Sequence, residues 1–280
     1  MGRRNNAART KAPKNPAAAP PVSNKSDLFA FVNPTEFVEL PSQGEYYSAD
    51  HPLSGEKVIE IKHMTAKEED ILTSEALLNN ELAVDRLLES VIVDSSIGVD
   101  DLLLGDKNAI LIATRITGFG PFYTVGATCK ECAQPSEYTF DLGELSSRER
   151  NTPPEAKHEG AGIFSFELPI SKVRIHVKLL TSRDEKHVTK LLLDKSGNGT
   201  SNPVTGLLRA IIVQANEHTD SEMLNKFIDV MPLPDVHHLR KMYDLVKPDV
   251  DLRFDFTCDH CSHEGKVGMP MTAAFFWPNA

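Results

Sequence analysis

The sequence contains no long hydrophobic run. Although 40% of its 280 residues are hydrophobic, no stretch approaches the roughly 20 consecutive apolar residues that a transmembrane helix needs. The N-terminus is polar and basic and has no apolar stretch of the kind found in a secretory signal peptide. These absences predict a protein of the reducing cytoplasm that has no membrane partner.

The sequence motifs of common catalytic sites are also missing. There is no Gly-x-Ser-x-Gly nucleophile motif and no His-Glu-x-x-His zinc helix. The glycine-rich stretch 196–200 lacks the lysine and the spacing of a phosphate-binding loop. His237 and His238 are adjacent, so their rings would not face each other on a helix. The sequence therefore predicts no enzymatic activity and no small-molecule substrate.

Acidic residues are absent from the first 26 positions, which carry six positive side chains. Because the whole chain has a net charge of −10, residues 27–280 sum to −16. The composition of this segment, rich in Ala, Pro and Asn, predicts a disordered basic tail over residues 1–27. Two interpretations stay open: an arm that docks on an acidic partner or nucleic acid, or a solvated tail. The acidic body makes nucleic acid an improbable main partner, since phosphate binding needs a basic face.

Cysteine is scarce but regularly placed. The four cysteines form two Cys-x-x-Cys pairs, Cys129 with Cys132 and Cys258 with Cys261, and a threonine precedes each pair. Two residues between thiolates let both sulfurs turn toward one metal ion, and four thiolates complete the closed tetrahedral shell of a structural Zn²⁺. We therefore expect one structural zinc per chain. The alternatives are two redox pairs or four free buried thiols, with His260 and His263 as substitute ligands.

Two stretches of the chain read alike. Residues 59–69 (IEIKHMTAKEE) resemble residues 175–185 (IHVKLLTSRDE), and each contains an alternating strand followed by a helix-start signal. The predicted capping boxes pair Thr65 with Glu68 and Ser182 with Glu185. This similarity suggests that the chain contains an internal duplication.

Two further matches follow in the same order. Residues 87–93 resemble residues 207–213, and Asp106 precedes Cys129 by the same 23 residues that separate Asp235 from Cys258. Because each half supplies one Cys-x-x-Cys pair, the simplest arrangement docks the two halves around one shared metal. The alternative is two unrelated α+β segments of similar periodicity.

The predicted fold is α+β, with two related halves of strand, helices and Cys-x-x-Cys hairpin joined by a four-cysteine zinc knuckle. The first half spans residues 28–142, the linker 143–162 and the second half 163–280. Asp106 is the predicted N-cap of a helix over 107–116.

Two surfaces are candidates for binding a partner. One is the tight turn that contains Pro41, Ser42 and Gly44. The other is the apolar C-terminal stretch with Phe275, Phe276 and Trp277, the only tryptophan of the chain. Aromatic residues are enriched at interface hot spots, so this stretch either meets a partner or packs across the body of the protein.

Several stretches of the chain form a recognisable set, namely FVELPSQG at 37–44, Gly55 to Asp70, Leu87 to Val93 and Val99 to Asp106, followed by the paired cysteine motifs. In these stretches the chain resembles the baseplate hub assembly protein family of T-even-like contractile-tailed bacteriophages, and the resemblance covers residues 36–272. The Leu-Pro-Ser-x-Gly turn is its clearest mark. The basic tail lies outside it.

The resemblance implies a non-enzymatic tail protein that binds other tail or baseplate hub proteins in the host cytoplasm during assembly. It leaves open whether the protein stays in the virion baseplate or leaves as a chaperone. The competing interpretation is a zinc-ribbon regulator that binds nucleic acid. Such a regulator needs a basic face around the cysteines, where only Lys130 and Lys266 accompany several acidic residues.

Overall fold

The computed structural model describes residues 33–74, 82–148, 150, 152–193, 203–269 and 275–276. The predicted basic tail, the glycine-rich stretch 196–200 and Trp277 lie outside these described residues. From Thr35 onward the chain forms one compact unit. This unit is mixed α+β with small antiparallel sheets, as the sequence predicts.

The strands are short and the helices are of moderate length. The strands are β1 (Thr35–Glu39), β2 (Val58–Lys62), β3 (Phe122–Thr128), β4 (Pro135–Asp141), β5 (Lys157–Gly160), β6 (Ile163–Glu167), β7 (Arg174–Lys178), β8 (Ile212–Ala215), β9 (Arg253–Thr257) and β10 (Glu264–Gly268). The helices are α1 (Ala66–Thr73), α2 (Leu82–Val91), α3 (Leu104–Phe119), α4 (Ser182–Leu193), α5 (Pro203–Ile211), α6 (Ser221–Val230) and α7 (Leu233–Val246). Single 3₁₀ turns occur at Val99–Asp101 and Leu142–Glu144.

The described strands form four antiparallel sheets. Three are two-stranded pairs, β1 with β2, β3 with β4 and β9 with β10, and the fourth has the order β5-β6-β7-β8. Residues 28–142 contain a strand pair, two helices, a long helix and a Cys-x-x-Cys hairpin in sequence order, and residues 163–280 follow the same order with β8 and α6 added before the long helix. No described helix combines the length and apolarity needed to cross a membrane.

Local capping signals set the starts of two helices. Thr65 caps α1 and forms the predicted capping box with Glu68. At α4 the prediction was wrong by one position, because the reciprocal bonds join Thr181 and Asp184 instead of Ser182 and Glu185. Ser182 is fully buried, and its N–H donates to the carbonyl of Leu102 at 2.8 Å.

The helix α3 starts three residues earlier than predicted. Its N-cap is Leu103, so Asp106 lies in the first turn and is not the N-cap. Gly105 permits close packing at this end, because a Cβ atom there would lie 2.1 Å from the carbonyl oxygen of Pro248. Because Asp106 is not the N-cap, its carboxylate can bind another part of the chain.

Three strands were not predicted. β1 alternates weakly in hydrophobicity, and β8 directly continues the helix α5. β5 lies inside the expected linker 143–162, which also contains most of the Leu142–Glu144 turn. All three are only four or five residues long, and pairing with neighbouring strands decides whether such short segments become strands.

One main hydrophobic core joins residues from both halves. Ile61, Leu88 and Ile110 of the first half and Phe164 and Val177 of the second belong to it and are at most 1% exposed. Backbone hydrogen bonds also link the halves, including one from Leu104 N–H to the Leu180 carbonyl at 3.1 Å. A second, smaller cluster surrounds the cysteines. The cysteine cluster therefore lies beside a core that the chain builds without it.

Candidate metal centre

The four cysteines lie at the tips of two hairpins. Cys129 and Cys132 are in the turn between β3 and β4, and Cys258 and Cys261 are in the turn between β9 and β10. The two hairpins belong to different sheets, yet their tips meet. All four sulfur atoms lie within 4.8 Å of one another. The structure thus brings together the two pairs that the sequence separates by more than a hundred residues.

The sulfur spacing matches a tetrahedral thiolate shell. The Sγ atoms of Cys129 and Cys261 are 3.7 Å apart, as are those of Cys132 and Cys258. With a Zn–S bond of about 2.3 Å, the edge of a regular tetrahedron is about 3.8 Å. All four cysteines are free thiols. Their spacing therefore fits a four-coordinate metal.

The two turns have the same backbone geometry. The N–H of Cys129 donates to the carbonyl of Gln134 at 3.0 Å, and the N–H of Cys258 donates to that of His263 at 2.9 Å. Ala133 and Ser262, each one position after the second cysteine, have φ values of +55° and +57°. These left-handed positions turn the chain tightly enough to direct both cysteines of a pair to one side.

The surroundings shift the pKa values of two of the cysteines in opposite directions. A hydrogen bond from the backbone N–H of His260, reinforced by bonds from neighbouring groups, lowers the pKa of Cys258 to about 6. The backbone of His263 acts to lower the pKa of Cys261, but burial and its hydrogen bonds with other thiols raise that pKa to about 12. A divalent cation beside these sulfurs would favour their thiolate forms.

Aromatic side chains close the base of the site. Tyr138 of β4 packs against Phe256 of β9 with ring centroids 5.0 Å apart, and Phe140 stacks on Phe254 at 4.2 Å. Cys129 and Cys258 are each 1% exposed, whereas Cys261 is exposed. The group of metal-competent side chains within the described residues contains the four cysteines, without His260 or His263.

The turn that contains Pro41, Ser42 and Gly44 is buried. The backbone N–H and the hydroxyl of Ser42 donate to the carboxylate of Asp106 at 2.9 and 2.6 Å. The Tyr47 hydroxyl adds a third bond at 2.7 Å. Because these contacts occupy the turn, its three residues offer no exposed surface to a partner in this structure. The spacing of Asp106 is visible in the sequence, but its contacts with this turn are not.

Gly44 has a steric reason to be glycine. Its φ is +70°, and a Cβ atom would lie 2.5 Å from the backbone nitrogen of Glu56. The Leu-Pro-Ser-x-Gly turn is therefore explained by packing within the chain.

Two of the C-terminal aromatic residues, Phe275 and Phe276, are also internal. Phe275 and Phe276 are 1% and 2% exposed, which favours packing across the body over contact with a partner. Arg115, which sequence analysis did not single out, donates from Nε to the Phe275 carbonyl at 2.8 Å and from a terminal nitrogen to the Gly120 carbonyl at 3.0 Å. A buried guanidinium thus holds residue 275 against the end of α3.

Comparison with known proteins identifies one family. The family described as T4 bacteriophage base plate protein matches residues 38–277. The match includes both halves and all four cysteines. No curated protein and no solved structure gives a significant match. Since the match spans most of the chain, this protein belongs to the T4 bacteriophage base plate protein family.

Proposed function

We propose that this chain is a non-enzymatic bacteriophage tail protein required for assembly of the baseplate hub. The observation that carries the proposal is the family match over residues 38–277. In this role the protein acts by binding other tail and hub proteins in the host cytoplasm while the baseplate is built. It serves either as a chaperone that leaves or as a component that remains in the virion baseplate.

We further propose that Cys129, Cys132, Cys258 and Cys261 bind one structural Zn²⁺. The support is the fit between their sulfur spacing and a tetrahedral shell. A metal with four thiolate ligands has no open position for substrate, so its role is to hold the two hairpin tips together. The main core packs without this cluster, and we therefore assign the metal to the local order of the hairpins.

We infer that the two halves arose by duplication, with residues 28–142 and 163–280 as the repeated units around a connecting segment. Equivalent features support this inference. Asp106 and Asp235 each accept hydrogen bonds from the turn after a strand, and the bonds joining Thr65 to Glu68 match those joining Thr181 to Asp184. An experimental structure in which the halves fail to superpose would contradict it.

A nucleic-acid-binding zinc ribbon is the alternative function. It would need free basic side chains around the hairpin tips. Of the two lysines there, Lys266 pairs with Asp255 at 3.4 Å, while Glu131, Asp259 and Glu264 add negative charge. The local charge therefore favours binding to protein.

The experiment combines metal analysis with binding. We expect purified protein to contain about one Zn²⁺ per chain and to form a stable complex with at least one purified baseplate protein of the same phage. A complex with none of them, or an activity on peptidoglycan, phosphate esters or peptides that one point mutation abolishes, would overturn the assembly function. Two metals per chain would overturn the shared site.

A further inference from the structure

A groove lies between residues of the first and the second half. Its volume is about 670 Å³. The N-terminal end of α3, the strand end after β7, and the helices α5 and α7 form its walls. We call it the interhalf groove. Its apolar floor consists of Leu103, Leu104, Leu179, Leu180, Leu207 and Ile211.

The acidic side chains of the groove are already paired. Glu185 lies 2.9 Å from Lys107, and Asp244 lies 3.2 Å from Arg148 and from Lys247. Asp249 lies 3.6 Å from Lys247 and also accepts from Asn108. These contacts neutralise the negative charges that face the groove.

The basic side chains on α7 are different. His237, Arg240 and Lys241 line the groove and are exposed. Within the described part of the chain, none of the three has an ion pair or a hydrogen bond to a carboxylate. Their spacing of three and four residues puts them on one face of α7. We call these three residues the basic stripe. Its two cations, Arg240 and Lys241, lie beside an apolar floor, in a body whose net charge is strongly negative.

We propose that the interhalf groove docks an acidic amphipathic helix of another baseplate protein. The apolar face of that helix would cover the leucine-rich floor, and its carboxylates would face the basic stripe. This inference rests on the proposed assembly function and specifies the surface and the kind of partner. Docking an amphipathic helix in an apolar groove is a common mode of peptide recognition.

The geometry favours a helix over a small anion. The three basic side chains are exposed and extend along about 6 Å of helix axis, at 1.5 Å per residue. Exposed cations bind isolated anions weakly. A small anion cannot bury the apolar floor of the groove. An amphipathic helix can cover the floor with its apolar face and pair its carboxylates with the basic stripe.

The test uses purified baseplate proteins of the same phage and measures association and dissociation rates with the full-length chain. The groove variant is Arg240→Glu with Lys241→Glu. The matched control is Lys157→Glu with Lys226→Glu, which makes the same charge change at side chains that are 71% and 67% exposed elsewhere. Metal content and thermal midpoint verify that every variant is folded.

We expect the groove variant to associate about tenfold more slowly at low salt and to lose most of the salt dependence of association, because facing charges steer encounter. The control should stay within about twofold of wild type. Leu207→Ala should mainly raise the dissociation rate, since it removes apolar contact. Glu→Lys changes in the acidic helix of the partner should restore binding to the groove variant.

Three other outcomes would contradict the docking inference, the proposed function or both. If wild type binds baseplate proteins and the groove variant binds them equally well, the inference is wrong while the proposed function stands. If nucleic acid competes for the groove, or if restoring charges on the partner has no effect, the acidic-helix assignment is wrong. If wild type binds no baseplate protein at all, both the proposed function and this inference fail.

Discussion

Replacing Arg115 by alanine should destabilise the protein more than any change at a surface arginine. Arg115 is only 2% exposed. Its guanidinium carbon lies 5.0 Å from the ring centroid of Tyr123 and 5.5 Å from those of Phe119 and Phe275. It also donates to two backbone carbonyls. No carboxylate among the described residues pairs with it, so its environment is unusual for a buried cation.

The magnitude follows from these contacts. Hydrogen bonds that involve a charged group contribute about 1.5–3 kcal/mol each, and each cation–ring contact contributes about 0.5–1 kcal/mol. Burial opposes them, and it lowers the pKa of Arg115 below its ordinary value. We expect a net loss of about 3–5 kcal/mol in the free energy of unfolding for Arg115→Ala. For a chain of this size, that corresponds to about 6–20 °C in thermal midpoint.

Urea unfolding followed by circular dichroism measures this loss. Arg115→Lys keeps the charge but cannot span both carbonyls with one nitrogen, so it should show an intermediate loss. Arg209→Ala is the control, because Arg209 is 40% exposed and pairs with Asp229 on the surface, where ion pairs contribute less than about 1 kcal/mol. A loss below about 1 kcal/mol for Arg115→Ala would refute the assigned role.

Three further predictions concern the metal, the paired aspartates and the tail. Cys129→Ser and Cys258→Ser should each abolish stoichiometric zinc binding. The double variant should be no less stable than either single variant, because the same site is lost in every case. Losses of stability that add in the double variant would contradict a shared metal. Burial acts to raise the pKa of Asp235, but hydrogen bonds from Ile170 and Ser171 hold it below the ordinary value. The free energy of unfolding of wild type should therefore exceed that of Asp235→Asn by about 2 kcal/mol at pH 7. This difference should shrink as the pH falls below about 4. Burial raises the pKa of Asp106 despite its hydrogen bonds from Ser42 and Tyr47. The stability difference between wild type and Asp106→Asn should therefore be largest at low pH and shrink as the pH rises. If the stabilities of Asp106→Asn and Asp235→Asn, relative to wild type, changed with pH in the same direction, this assignment would be wrong. Deleting residues 1–26 should leave the thermal midpoint within about 2 °C of wild type, since their composition cannot support a core; a large fall, measured by differential scanning calorimetry, would show that they belong to the folded body.

Local sequence signals predicted several features that the structure contains. The capping box at Thr65, the alternation in β2 and the Cys-x-x-Cys turns all depend on residues a few positions apart. Near-neighbour contacts decide these features, and such contacts can be read from spacing. The predictions failed for β1, β5 and β8 because their strand state depends on pairing with distant segments.

The sequence by itself determined the four candidate metal ligands, the acidic body and the family resemblance that the family match confirms. Only the tertiary structure decided that sulfurs 126 and 132 positions apart meet at 3.7 Å. The structure also brings Ser42 into contact with Asp106 and Phe275 into contact with Arg115. It gives the basic stripe no carboxylate partner among the described residues, beside an apolar groove. Each of these depends on how helices and hairpins pack over long sequence separations. The spacing of residues in the sequence determines which side chains a single turn brings together. The packing of the core determines which distant side chains they contact.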